Sequence, residues 1–148
     1  MRLQLFTACE KVLLNETRLP SLIVLLQELQ AHVVPMQDLP KDAVVPKEWA
    51  LIGMWLPTPD DVGKEFVQRF DITWPDGSHF MDYRLPFKVN NTSPATNYVN
   101  IVGIPIGQVG AVTLRSWVEL QGTAVTEVVS VPLLVKHVAP PQRKGSLA

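Results

Sequence analysis

Apolar and polar residues alternate along much of this 148-residue chain, and that alternation restricts the possible folds more than any other feature of the sequence. The clearest case is residues 111–120. Successive side chains of a β-strand point to opposite faces of the sheet, so this period of two predicts a half-buried strand. The residues expected to face inward are Val112, Leu114, Val118 and Leu120.

The same pattern predicts further strands elsewhere in the chain, at residues 4–14, 65–74, 79–85, 98–104 and 123–138. Residues 50–56 are apolar at nearly every position, which is typical of a strand buried on both faces. Residues 111–120 and 123–138 are expected to form a C-terminal hairpin. Within it, Pro132 marks an edge position or a bulge, because proline cannot donate a ladder hydrogen bond.

The sequence WPDGSHF is expected to reverse the chain between residues 65–74 and 79–85. Pro75 fixes its own φ, Asp76 supplies a side-chain acceptor, and Gly77 adopts a positive φ at no steric cost. This combination predicts a second hairpin in the middle of the chain.

Thirteen prolines are spread through the sequence and leave one window, near the N-terminus, that is long and periodic enough for a helix. The window reads PSLIVLLQELQAHVV, residues 20–34. Ser21 lacks a Glu or Gln three residues later, where the chain has Val24, so a capping box is missing. We favour a strand that forms a hairpin with residues 4–14, and the alternative is one short helix within residues 20–33.

About seven to eight short strands separated by turn signals predict an all-β fold, specifically an antiparallel, immunoglobulin-like β-sandwich. We expect residues 1–138 to form a single domain and residues 139–148, APPQRKGSLA, to be a flexible tail. The proline-punctuated connection at residues 35–47 is expected to cross from one sheet to the other.

Charge and cysteine content restrict the possible partners and the cellular location. With 13 basic and 14 acidic residues the net charge is -1, so no electrostatic field favours nucleic acid as a partner. The single cysteine, Cys9, has no internal disulfide partner. The start MRLQLFTACEK contains no signal-peptide apolar region, and the run 22–26 is too short to span a membrane. These features predict a cytoplasmic protein that binds no membrane.

No pattern of reactive residues indicates an enzyme. His32, His79, His137 and Cys9 are far apart in the sequence and lack the spacing of a zinc site. Cys9 lies within a predicted strand, where a buried, inert thiol is expected. We therefore predict no catalytic residue, no cofactor and no metal.

Two other motifs have simple structural explanations. The glycines of the run GIPIGQVG precede a predicted strand, whereas a phosphate-binding loop needs a helix after it. The acidic residues Asp60, Asp61, Asp76 and Asp82 lie in predicted loops and are interpreted as turn formers and solvated charges. Calcium binding by these carboxylates is the alternative.

The four tryptophans separate into two groups. Trp49, Trp55 and Trp74 lie on apolar faces of their strands and are expected in the core. Trp117 lies on the opposite face from the inward residues of its strand. Together with Arg115 and Glu119 it forms the candidate interaction surface, which another strand, a second copy of the chain or a ligand such as a sugar ring would cover.

The order of motifs along the chain is Cys9-Glu10-Lys11-Val12, a turn, Pro20-Ser21-Leu22-Ile23, a proline-rich crossing, a strand with an Asp-Gly turn, and a closing hairpin at residues 110–135. This layout resembles a group of small uncharacterised bacterial proteins. The resemblance covers most of residues 3–138. It implies an immunoglobulin-like β-sandwich and no activity, and it assigns no site residues.

The function predicted from the sequence is that of a non-enzymatic β-sandwich acting as a protein–protein interaction or structural module. Recognition by sheet edges and loops requires no reactive residues, and self-association is one form of it. The alternatives are a module that binds carbohydrate or another small ligand, and an enzyme with an unrecognised site.

Overall fold

The computed structural model describes residues 1–17, 19–32 and 39–138, which form two β-sheets packed together. The predicted all-β sandwich is therefore confirmed. The strands within these residues are β1 (Arg2–Leu14), β2 (Pro20–Leu25), β3 (Glu28–His32), β4 (Val44–Leu56), β5 (Glu65–Thr73), β6 (His79–Lys88), β7 (Ala95–Pro105), β8 (Gly110–Leu120), β9 (Thr123–Ala124) and β10 (Val129–Val138). The described residues contain no α-helix, and one 3₁₀ turn covers Pro59–Asp61.

One sheet has four strands in the order β2-β1-β4-β7, and all of its pairs are antiparallel. The other has six strands, with the order β3-β10-β8-β5-β6 and the short β9 beside β8. β3 runs parallel to β10, and the remaining pairs of this sheet are antiparallel.

The structure has ten strands rather than seven or eight because two predicted segments are each divided. Residues 20–34 change sheet in the middle: Leu26 donates its amide to the Ala8 carbonyl at 2.9 Å, and the next residue, Gln27, accepts from the Leu134 amide at 2.9 Å. β2 therefore pairs with β1, and β3 pairs with β10. Strand was the correct choice over helix up to residue 32, and residues 33 and 34 lie outside the described ranges.

The second divided segment is residues 123–138, which gives β9 and β10. β10 pairs with β8 along Val129–Val135, so the C-terminal hairpin is confirmed. β3 lies beside β10 only from Leu134 onward, so Pro132 has a strand on one side alone, as an edge position requires.

The connections agree with the expectations wherever the structure describes them. Trp74 donates its amide to the Ser78 carbonyl at 2.8 Å, and Gly77 has a φ of 85°, so the turn between β5 and β6 is confirmed. β3 ends in one sheet at residue 32 and β4 begins in the other at residue 44, so the chain changes sheet between them as expected; residues 33–38 of the predicted connection lie outside the described residues. The tail at 139–148 also lies outside the described residues.

Aliphatic and aromatic side chains from both sheets form the main core. Trp49 and Leu51 of β4 pack with Phe70 and Ile72 of β5, and all four are almost completely inaccessible to solvent. The predicted core tryptophans are buried; these are Trp49, Trp55 and Trp74. Residues 50–56 of β4 are buried or half-buried on both faces, as their continuous apolar sequence predicted, whereas 44–48 are exposed.

A buried polar bridge joins the two sheets inside this core. Gln68 of β5 donates to the Ser116 hydroxyl at 3.1 Å and accepts from the Asn97 amide of β7 at 2.9 Å. A Cβ atom at Gly53 would lie 2.0 Å from the Gln68 side-chain nitrogen. Glycine at position 53 therefore makes room for the bridge, and neither residue was singled out from the sequence.

Candidate functional site

The sequence-predicted surface lies on the outer face of the six-stranded sheet. Trp117 is half-buried there, and its indole nitrogen donates to Glu119 at 3.0 Å. β5 sets Arg69 directly opposite Trp117, with the guanidinium carbon 5.4 Å from the ring centroid, a cation–π distance. Arg69 also donates to Glu119 at 3.3 Å. Trp117 is thus covered in part by a neighbouring strand of its own sheet.

The third predicted residue, Arg115, is held by a second charge pair on the same face. Its Nε donates to Asp71 at 2.9 Å, and Asp71 lies opposite it on β5. His79 of β6 lies next to this pair, since its ring is 3.7 Å from Asp71 on one side and 3.4 Å from Asp82 on the other. The structure therefore brings Arg115, Trp117 and Glu119 together, but within a network of internal partners.

A different surface begins where β1 leaves the four-stranded sheet. The last residue of β1 that pairs with β4 is Cys9, and beyond it β1 pairs with β2 alone. At the same level the ladder between β1 and β2 is interrupted at Glu10 and Val24, and Val24 has a φ of 53°. A β-branched residue with a positive, left-handed φ is strained, by on the order of 1–3 kcal/mol. The hairpin bends at this level.

Beyond the bend, residues 10–17 and 19–25 form what we name the folded-back hairpin. Its Val12 and Leu22 pack in one cluster with Ile52 of β4. Its Leu14 lines a cleft of about 600 Å³ together with Tyr98 of β7. The hairpin therefore lies over the outer face of the four-stranded sheet and gives this part of the sandwich a third layer.

This cover explains why small and apolar side chains on that outer face are inaccessible to solvent. Cys9, Ala50 and Ile52 point away from the main core, yet each is fully buried. Burial raises the pKa of the Cys9 thiol, and the sulfur makes a 3.5 Å contact with the Lys11 carbonyl. The thiol is therefore neutral and a weak nucleophile near neutral pH.

Other apolar side chains of the hairpin are exposed to solvent, on its outer side and near its two ends. We name its exposed side chains the apolar hairpin surface, and each is between 41% and 62% accessible; they are Leu13, Leu19, Ile23, Val24 and Leu25. β2 is also an edge strand, and its six residues, PSLIVL, carry no charge. An uncharged, apolar edge is the kind that pairs readily with another chain.

The edge strand β6 of the other sheet differs in each of these respects. It carries the charged residues Asp82, Arg84 and Lys88 together with Pro86, and its large apolar side chains turn inward. Charges and proline are common devices that prevent edge-to-edge pairing. β6 is therefore protected against pairing with another chain, whereas β2 lacks charged residues that would prevent it.

Three of the four carboxylates considered for calcium have other contacts, and Asp82 lies within β6 beside His79 rather than in a loop. Asp61 accepts from the Thr58 amide at 2.7 Å in the 3₁₀ turn. Hydrogen bonds from Ser78 lower the pKa of Asp76, which closes its turn in this way. Within residues 1–17, 19–32 and 39–138, no three His, Cys, Asp or Glu side chains are arranged to hold a metal ion.

Comparison with protein-family models gives no match, and no curated protein matches the sequence. The resemblance to the bacterial group and the immunoglobulin-like connectivity therefore stay predictions. The part of the chain that the structure describes has no helix of the length and apolar character needed to cross a membrane.

Proposed function

We propose that this protein is a non-enzymatic β-sandwich module that binds another protein chain through the apolar hairpin surface. The observation that carries the proposal is that β2, an edge strand without charges among the described residues, displays Ile23, Val24 and Leu25 to solvent. The cytoplasmic location and the kinship with bacterial sandwich proteins belong to the same proposal. A single, buried and unpaired cysteine supports that location.

The size of the surface supports an interface. Its five residues are each roughly half exposed and together present on the order of 500 Å² to solvent, within the roughly 300–600 Å² range of the largest apolar patch of a monomeric protein. Patches of this size are often functional. The edge of β2 adds backbone groups that an extended partner segment can pair with, in the recognition mode known as β-strand addition.

The Trp117 surface is a second place for a partner, and the sequence prediction for it stands as a proposal. Tryptophan and arginine are common interface hot spots, and the contacts with Arg69 and Glu119 hold the indole in one orientation. We rank it below the hairpin because its polar groups already have internal partners. The exposed apolar side chains of the hairpin gain more free energy when a partner covers them than these already paired polar groups do.

Site-specific photo-crosslinking in the native host tests the proposal. A photoreactive amino acid replaces Leu25 on the apolar hairpin surface, or Val102 on β7 as a matched control, since Val102 is 63% accessible. We expect position 25 to capture a discrete protein chain and position 102 to capture none. A third variant at Trp117 reports on the other surface. Equal capture from positions 25 and 102, or no capture from either, would contradict the proposal.

A further inference from the structure

We infer that the partner is a second copy of this chain, and that β2 of one copy lies antiparallel to β2 of the other across a two-fold axis. The two folded-back hairpins then form one four-stranded antiparallel layer. This inference rests on the proposed function, since it names the occupant of the same surface.

β2 is the best suited of the four sheet edges for such pairing. β6 is protected by charges and proline, and β3 carries Glu28, which pairs with Lys136 at 3.1 Å. β7 is also free of charge, but Val102 is the only one of its described large apolar side chains that is well exposed. Within residues 1–17, 19–32 and 39–138, β2 alone combines an edge position, no charge and a cluster of exposed aliphatic side chains.

The sequence of β2 is compatible with itself. A two-fold axis uses the same patch on both subunits, so each residue of β2 must be compatible with the residue that faces it on the antiparallel copy of the same strand. With the axis at Leu22, that residue faces the partner's Leu22, and Ser21 faces the partner's Ile23. No like charges are opposed in this register, because Pro20–Leu25 has no ionisable side chain.

The bend at Val24 sets the end of this pairing. In the same register Val24 faces the partner's Pro20, which has no amide hydrogen to donate to a ladder. The regular ladder therefore needs to extend only over Ser21–Ile23 in each copy. The side chains of Leu13, Leu19 and Leu25 supply the rest of the contact.

The exposed area agrees with what a stable dimer needs. A standard interface buries about 800 Å² on each partner, somewhat more than half of it apolar, which is on the order of 500 Å². The apolar hairpin surface provides about that amount. A second copy can therefore cover it without any further apolar surface from the sandwich.

Sedimentation of the whole chain over roughly a hundredfold range of concentration tests the inference. We expect a reversible dimer, with a dissociation constant that rises at least about tenfold in Ile23→Lys, because each copy then sets a charge in the contact. Val102→Lys, which makes the same kind of change on β7, should leave the dissociation constant unchanged. Circular dichroism confirms that both variants are folded. A monomer at every concentration, or equal effects of the two variants, would overturn the inference.

Disulfide trapping tests the register. In a Cys9→Ser background, Leu22→Cys is expected to form a crosslinked dimer on mild oxidation, because paired Cα atoms across two strands lie within disulfide range. Val102→Cys should not. Leu22 also packs toward Ile52, so a mixture of Ser21→Cys and Ile23→Cys chains checks the same register without changing that contact. Failure of both to crosslink excludes this pairing.

The outcomes separate the two proposals. If the photoreactive residue at position 25 captures its own chain, both stand. Capture of a different protein, together with a monomer in sedimentation, overturns the second copy as partner and leaves the hairpin as the binding surface. If position 25 captures nothing and the chain is monomeric, both proposals are wrong.

Discussion

The outer faces of the two sheets limit their exposed apolar surface in different ways. The six-stranded sheet presents charged side chains to water and pairs them with each other, as Arg115 does with Asp71 and Arg69 with Glu119. The four-stranded sheet presents Cys9, Ala50 and Ile52, which need a cover. A hairpin of the same chain folds back to provide it.

Under the proposed function, the interaction surface exists because a two-stranded layer covers the apolar face. A layer whose side chains alternate can be apolar toward the sheet and polar toward water. The folded-back hairpin instead has Val12 and Leu22 on its inner side and Leu13 and Ile23 on its outer side. The hairpin covers one apolar face and exposes another. In our proposal, a second protein chain covers the exposed one.

The largest effect is expected beneath the hairpin. Ile52→Ala removes a fully buried side chain, and we expect the free energy of unfolding to fall by about 3 kcal/mol. Thr113→Ala on the half-exposed charged face should cost less than about 1 kcal/mol. Chemical denaturation measures both. A cost below about 1 kcal/mol for Ile52→Ala would mean that the hairpin does not cover that face.

Replacing the indole on the charged face should change stability but not association. Trp117→Ser removes the contact with Arg69 and the hydrogen bond to Glu119, and we expect it to cost about 2 kcal/mol. Trp117→Phe keeps an aromatic ring and should cost less. Sedimentation of both variants should give the wild-type dissociation constant. A weaker dimer in Trp117→Ser would move the interface to the six-stranded sheet.

The bend of the hairpin offers a smaller, stabilising change. Glycine adopts positive φ without strain, so Val24→Gly should raise the free energy of unfolding by about 1 kcal/mol at the bend. Val102→Gly, in a strand without such strain, should lower it by a similar amount. Thermal and chemical denaturation check both signs. If Val24→Gly is destabilising, then the left-handed conformation at position 24 is not under strain.

The smallest effect concerns the thiol at the root of the hairpin. Burial raises the pKa of Cys9 in the folded state, so its contribution to stability is complete below the ordinary value of 9.0 and is lost as the pH rises above it. Wild-type protein should therefore lose more stability than Cys9→Ala as pH rises past that value. Denaturation curves at several pH values measure the difference. Parallel pH profiles would show that the thiol is open to solvent.

Most of the fold followed from the period of two, because alternation and turn residues act locally. The hairpin from β5 to β6 is one example, since Gly77 and the flanking strands are adjacent in sequence. The change of sheet between Leu26 and Gln27 was not predictable. An uninterrupted run of strand-forming residues carries no local signal for passing from one layer to another.

The site was predicted only in part, for a similar reason. The outward position of Trp117 follows from its parity in β8, but its contact with Arg69 depends on which strand lies beside β8. The apolar hairpin surface was missed because no local signal shows that the hairpin leaves the sheet at Cys9 and exposes the other side of β2. The uncharged run of residues 20–26 was a signal for an exposed edge, and it was interpreted only as the choice between helix and strand.

Amide hydrogen exchange as a function of protein concentration tests the central claim most directly, because it compares the two edges in one sample. If β2 pairs with a second copy, the amides within Ser21–Ile23 that face the free edge exchange more slowly as concentration rises, and those of β6 do not change. If exchange in β2 is independent of concentration throughout the range in which the protein is measured, then β2 does not form the interface between copies of this chain.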